Sequence, residues 1–147
     1  MIYHSKCIIK FSITKEEILN DIDQNIYKTF FNWENKKFGG DVSDHDFKVT
    51  FLGRGIKPYF KGKFIKDEND IELLITYGKY DTLFIIAVSI FCMIYMVISD
   101  SYIVKIIFLI IYMLILLSIA FDWTQSKNNF FKYLKNLDKN CEIIPIK

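Results

Sequence analysis

The sequence predicts an α+β membrane protein: an antiparallel sheet with one N-terminal helix and one C-terminal helix, plus a two-helix transmembrane hairpin. Three observations lead there. The 147 residues are 52% hydrophobic and 17% aromatic, with a formal net charge of +2. That excludes a disordered chain, which has few aromatics and a strong net charge. Two long apolar runs lie almost back to back in the second half, and alternation of period two recurs in the first half.

The first run, Thr82 to Ser99, reads TLFIIAVSIFCMIYMVIS and holds no charge. The second, Tyr102 to Phe121, reads YIVKIIFLIIYMLILLSIAF and holds only Lys105. A membrane helix needs about 20 apolar residues. Lys105 lies one turn inside its run, where its stem can rest in lipid while the ammonium reaches the headgroups. Only Asp100 and Ser101 separate the runs, and so short a link demands an antiparallel hairpin, with helices at about 80–99 and 102–121. Folding there sets Tyr77, Tyr80 and Trp123 at one membrane interface and Tyr102, with Lys105 close by, at the other. Amphipathic aromatics concentrate at such interfaces.

Lysines set the orientation. Lys63, Lys66 and Lys79 precede the hairpin, and Lys127, Lys132, Lys135 and Lys139 follow it. The tip has none apart from Lys105. The positive-inside rule then predicts an integral inner (cytoplasmic) membrane protein with both termini in the cytoplasm. The opening MIYHSKCIIKF lacks a long apolar core with a small-residue cleavage site, so no signal peptide is expected. Cys7, Cys92 and Cys141 are expected as free thiols in a reducing compartment.

The flanking segments read as follows. Ile9, Phe11 and Ile13 alternate with polar residues and predict a strand. Thr14 and Glu17 form a capping box. Ile18, Ile22, Ile26 and Phe30, widened by Leu19, then predict a helix from about Lys15 to Asn32. The polar stretch Asn32 to Asp46, with Gly39-Gly40, is expected to break it. Phe47, Val49 and Phe51 predict a strand. Gly53-Arg54-Gly55 is a turn, and Phe60, Gly62 and Phe64 a second strand. Asp67-Glu68-Asn69-Asp70 is another turn, and Ile71, Leu73, Ile75 and Tyr77 a third strand. After the hairpin, Ser126 is expected to cap a short helix whose apolar face is Phe130, Phe131, Leu134 and Leu137. Cys141 to Ile146 closes as an edge strand, because Pro145 cannot donate to a ladder. Residues 122–147 cannot bury a helix and a strand alone. They are expected to pack back on residues 1–79, giving one domain interrupted by the hairpin at 80–121.

Chemistry-bearing clusters are few. Asp41, Asp44, His45 and Asp46 are the one group of metal-ligand types. They fit neither an EF-hand loop nor HExxH spacing, and a solvated turn explains them better, since Asp is a default turn residue. Gly53-Arg54-Gly55 lies between strands and does not form a nucleotide loop. With only His4 and His45 as histidines, no nucleophile–base pair is evident. No catalytic residue and no cofactor is expected. Lys57, Lys61 and Lys63 share a strand face with Tyr59, a candidate contact for headgroups or a partner, at about 1 kcal/mol per lysine near an anionic surface. Against this, residues 1–81 carry thirteen basic and thirteen acidic side chains, and such a face also serves to deter edge pairing. Nucleic-acid binding needs concentrated positive charge and is not expected.

The segment Phe47-Lys48-Val49, Gly53 and Pro58-Tyr59-Phe60-Lys61-Gly62-Lys63-Phe64, followed by a strand and paired apolar runs, resembles small uncharacterised bacterial membrane proteins. These carry a P-x-F/I-x-G-K/x-I/F element before two membrane helices. Some have a sheet domain likened to bacterial pleckstrin-homology domains. The resemblance covers roughly residues 47–121 and implies no activity, so it assigns no catalytic residue.

The expectation is therefore a non-enzymatic integral membrane protein that holds a small α+β interaction or sensing domain at the cytoplasmic face. Its partners would be the lipid bilayer and a protein, with homo-oligomerisation open. The alternatives are a membrane-interface enzyme acting on a lipid or small molecule, with Asp41, Asp44, His45 and Asp46 as its only site, and an immunity-type membrane protein.

Overall fold

The computed structural model describes residues 4–28, 36–53, 55–65 and 70–146. Arg54, the turn residues Asp67 to Asn69 and the expected helical residues Thr29 to Asn32 lie outside them. The elements run β1 (His4–Lys10), α1 (Lys15–Gln24), β2 (Phe38–Val42), β3 (Asp46–Phe51), β4 (Tyr59–Phe64), β5 (Ile71–Thr76), α2 (Lys79–Ile98), α3 (Tyr102–Leu137) and β6 (Glu142–Ile146).

The strands form one six-stranded antiparallel sheet in the order β2-β3-β4-β5-β1-β6. Short connections make β3, β4 and β5 a meander. The two terminal strands complete the sheet beyond β5, so residues from both ends of the chain share one ladder. Phe47 stands opposite Gly62 in the register of β3 and β4. The Phe47 ring occupies the space that a side chain at Gly62 would need.

One sheet face is covered by α1 and the C-terminal part of α3. Ile9, Val49, Phe60, Leu73 and Ile75 from the sheet, Ile18 and Ile22 from α1, and Phe130 and Leu134 from α3 are all fully buried in this core. Phe130 is its hub. Its ring stacks on Phe60 at 4.1 Å between centroids and meets Phe38 edge-on at 5.9 Å. The opposite face carries Lys6, Lys48, Lys61 and Lys63, all exposed.

Three features differ from the sequence expectation. The first helix ends at Gln24 rather than near Asn32. Asn25 closes it, and Ile26 leaves the helix to bridge Phe38 in parallel, with the Tyr27 N–H donating to the Phe38 carbonyl at 2.8 Å. Pairing with the sheet edge outcompetes another helical turn, and Ile26 is buried there. Second, part of the stretch expected to be irregular forms β2. Its glycines have low strand propensity, but Phe38 is buried in the core and anchors it beside β3.

The third difference is the largest. The second apolar run and the expected short C-terminal helix are one continuous helix of 36 residues, α3. Ser126 starts nothing, because it is buried in mid-helix. The residues between Phe121 and Ser126 include no Gly or Pro, so nothing stops the helix there. At 1.5 Å per residue α3 is about 54 Å long.

The α2 and α3 helices lie side by side. Tyr95 stacks on Phe108 at 4.2 Å, and the Tyr112 hydroxyl meets the Ser89 hydroxyl at 3.3 Å. Contacts thus descend one helix while climbing the other, which makes the pair antiparallel. Both helices are long and apolar enough to cross a membrane. Only 6% of each apolar window is buried.

Candidate functional site

The sheet and the apolar helix pair meet at a small polar and aromatic junction. Tyr77 follows β5 and is buried. Its hydroxyl donates to the Ile119 carbonyl of α3 at 3.0 Å, and its ring lies against Trp123 with centroids 5.2 Å apart. Next to Trp123, Asp122 accepts from the Lys57 ammonium at 2.5 Å, with both side chains largely shielded from solvent. Gly55, with φ at +91°, brings the β3–β4 connection against the Asp122 carboxylate. The sheet is therefore fastened to the pair by the unbroken α3, by Tyr77 and by the Lys57–Asp122 ion pair.

The expected interface residues are distributed between the two ends of the pair. Tyr77 and Trp123 are in contact at the sheet end, and Tyr80, in the first turn of α2, is almost fully exposed there. At the far end Tyr102 is exposed, and the Lys105 ammonium sits 5.8 Å from its ring centre.

Of the four residues expected to share a strand face, Lys57 is used differently. It precedes β4 and turns to Asp122 rather than to solvent. The signal available was Asp122 itself, an acid directly after a long apolar run and the only one within α3. Tyr59, Lys61 and Lys63 do share the uncovered face, with the Lys48 ammonium 4.9 Å from the Tyr59 ring centre. Cross-strand neighbours balance this face. Asp41 stands opposite Lys48, Asp46 opposite Lys63, and Lys63 opposite Glu72. Lys6 is bridged to Glu72 at 3.0 Å. Lys61 lies between Lys48 and Leu74. Because Tyr59 pairs with Thr76, Lys61 and Lys63 lie about 7 and 13 Å farther along the strand from the start of α2.

Asp41, Asp44, His45 and Asp46 fall on β2, β3 and the tight turn between them, where the Ser43 N–H donates to the Asp46 carbonyl at 2.8 Å. The Lys15 ammonium lies 2.5 Å from His45 Nδ1, a cation where a metal ligand set would need none. Among the described residues no group of three or more His, Cys, Asp or Glu side chains could hold a metal ion.

Two part-buried polar links were not foreseen. Asp138 ends α3 and accepts from the Ser12 N–H and hydroxyl and from the Asn140 N–H. Burial alone would raise its pKa, but hydrogen bonds from Ser12, Asn140 and Ile13 outweigh it and hold the carboxyl below its ordinary value. The Tyr133 hydroxyl donates to Asp21 of α1. Burial, then that hydrogen bond and the Asp21 charge, push the phenol well above its ordinary value. Cys7, Cys92 and Cys141 are free and buried. Burial raises the Cys7 and Cys141 thiols above their ordinary values. Comparison of the chain with protein-family models, with curated proteins and with solved structures finds no match in any of the three.

Proposed function

We propose that the protein is a non-enzymatic integral membrane protein. The antiparallel pair α2–α3 forms a transmembrane hairpin, and the α+β domain is an interaction or sensing module at the cytoplasmic face. The observation that carries this reading is the continuity of α3. Its first part is apolar and exposed, and its last part is buried in the sheet core. A lipid environment accounts for the first part, and the second makes the domain a rigid extension of the span. The lysine distribution supports a cytoplasmic domain: Lys79, Lys127, Lys132, Lys135 and Lys139 lie toward the sheet end, and Lys105 alone lies near the tip. The uncovered sheet face, with Lys61 and Leu74 at its centre, is the surface offered to a protein partner.

Alkaline carbonate washing of membranes that contain the full chain tests the anchor. The chain should stay in the pellet, and its release to the supernatant would refute the hairpin. A photo-crosslinking residue at Leu74, with one at Asn128 on the exposed side of α3 as control, tests the module. A discrete adduct from Leu74 alone is expected, and no adduct from either position would refute a binding role for that face.

A further inference from the structure

Between α2 and α3 a cleft of about 560 Å³ opens along part of the pair. Thr82, Ile86, Ser89 and Met93 form one wall, and Tyr112 and Leu116 face them. The lining is apolar apart from hydroxyls, and no charged side chain enters it. Those of Thr82 and Ser89 donate to the carbonyls of Gly78 and Ile85, and that of Tyr112 rests on Ser89. From Thr82 to Met93 the cleft extends about 17 Å, roughly half of a 30 Å hydrocarbon core. Beyond it the helices close up, with Tyr95 stacked on Phe108. The cleft thus occupies the depth of a single leaflet, on the sheet side.

Tyr77 and Ile119 line the sheet end of the cleft, and a charge lies one helical turn before Thr82. Lys79 is exposed and belongs to the same helical stripe as Thr82, Ile86, Ser89 and Met93, spaced three and four residues apart. Side chains on a helix lean toward its N-terminus, so Lys79 extends away from Thr82 toward the level of lipid headgroups. Asp81 lies on another side of the helix, against Gly78. An uncharged, half-span slot with a cation one helical turn beyond Thr82 on the same stripe matches one molecule, a phospholipid with its acyl chain in the slot and its phosphate at the lysine. A helix from a second copy would need a groove along the whole span.

We infer that the α2–α3 cleft binds one phospholipid of the sheet-side leaflet, acyl chain against Ser89 and Tyr112 and phosphate at Lys79. This rests on the membrane reading above. The full chain is reconstituted into phosphatidylcholine–phosphatidylglycerol nanodiscs that contain a phospholipid with a photoreactive group midway along its acyl chain. Adducts on the unaltered chain should concentrate at Ile86, Ser89, Met93 and Leu116 over the outward-facing Phe84, Phe91, Leu114 and Leu117. Ser89→Phe and Leu116→Phe, filling the slot from opposite walls, should each abolish that preference. Lys79→Gln should lower the enrichment of phosphatidylglycerol among lipids that remain bound after purification. Even labelling of the unaltered chain around both helices would overturn the inference. So would a cleft shielded from lipid while Ile90→Cys chains cross-link to one another, which would place a second copy there. Release of the chain by carbonate overturns the membrane reading instead, whereas a retained but evenly labelled chain overturns only the lipid site.

Discussion

Replacing Phe130 by alanine tests whether the end of α3 belongs to the sheet domain. Phe130 is fully buried, stacks on Phe60 at 4.1 Å, and lies within 6.5 Å of Phe38, Phe47 and Phe51 between ring centres. Truncating a buried phenylalanine costs about 3–5 kcal/mol. The stacked pair accounts for about 0.5–1.5 kcal/mol of that. Against a total stability of about 5–15 kcal/mol for a domain, this is a large fraction. Amide hydrogen exchange of the nanodisc-bound chain, read at β3 and β4, reports it directly. At tenfold per 1.4 kcal/mol, globally protected amides should exchange about a hundredfold to a few thousandfold faster in Phe130→Ala. Asn128→Ala, an exposed change on the same helix, should shift them by no more than about 0.5 kcal/mol. Equal exchange in Phe130→Ala and in the unaltered chain would refute the reasoning. The C-terminal half of α3 would then lie elsewhere, for instance flat on the membrane surface with its lysines toward headgroups.

Two further substitutions probe other parts of the account. Gly62→Ala forces a methyl group into the Phe47 ring, and overpacking of this kind costs about 1–3 kcal/mol; denaturant melts of the nanodisc-bound chain should show the loss, and Phe47→Leu in the same chain should restore part of it. Asp138 has a lowered folded-state pKa, so its contribution is present above the ordinary aspartate value of about 3.9 and is lost as pH falls through the lower folded value; Asp138→Asn should therefore lower stability at neutral pH and flatten the acid limb of a stability–pH profile, and an unchanged acid limb would show that the Ser12–Asp138 link does not favour the charged form.

How much of this was legible in the sequence depended on whether a signal was local. The alternations at Phe47–Phe51, Phe60–Phe64 and Ile71–Ile75 fall on β3, β4 and β5, because an exposed face beside a buried one imposes period two. The Thr14–Glu17 capping box is present as read. The apolar runs correspond to α2 and to the first part of α3. The end of α1 was not legible, because Ile26 is removed from the helix by a strand edge that lies beyond it in sequence. The strand β2 was hidden for a related reason: its glycines argue against a strand, and the partner β3, the Ile26 bridge and the buried Phe38 hold it. Ser126 misled by residue type, since a serine before an apolar stripe looks like a cap, whereas the lack of a helix breaker after Phe121 carried the correct information. Among the site residues, Lys61 and Lys63 keep the expected face. Lys57 leaves it because its partner Asp122 is 65 residues away, a distance that no periodicity reveals.

The proposed topology has α2 and α3 crossing a membrane as a hairpin and holding the sheet domain on the cytoplasmic side. The most direct test uses single exposed cysteines, Asp44→Cys in the domain, Ser101→Cys at the tip and Asn128→Cys on α3, treated in intact cells with a membrane-impermeant maleimide. The three native thiols are buried and can remain as an internal background. The account predicts external labelling of Ser101→Cys alone, with Asp44→Cys and Asn128→Cys reacting only after the cells are opened. External labelling at Asp44→Cys or Asn128→Cys, or protection of all three until lysis, would contradict it.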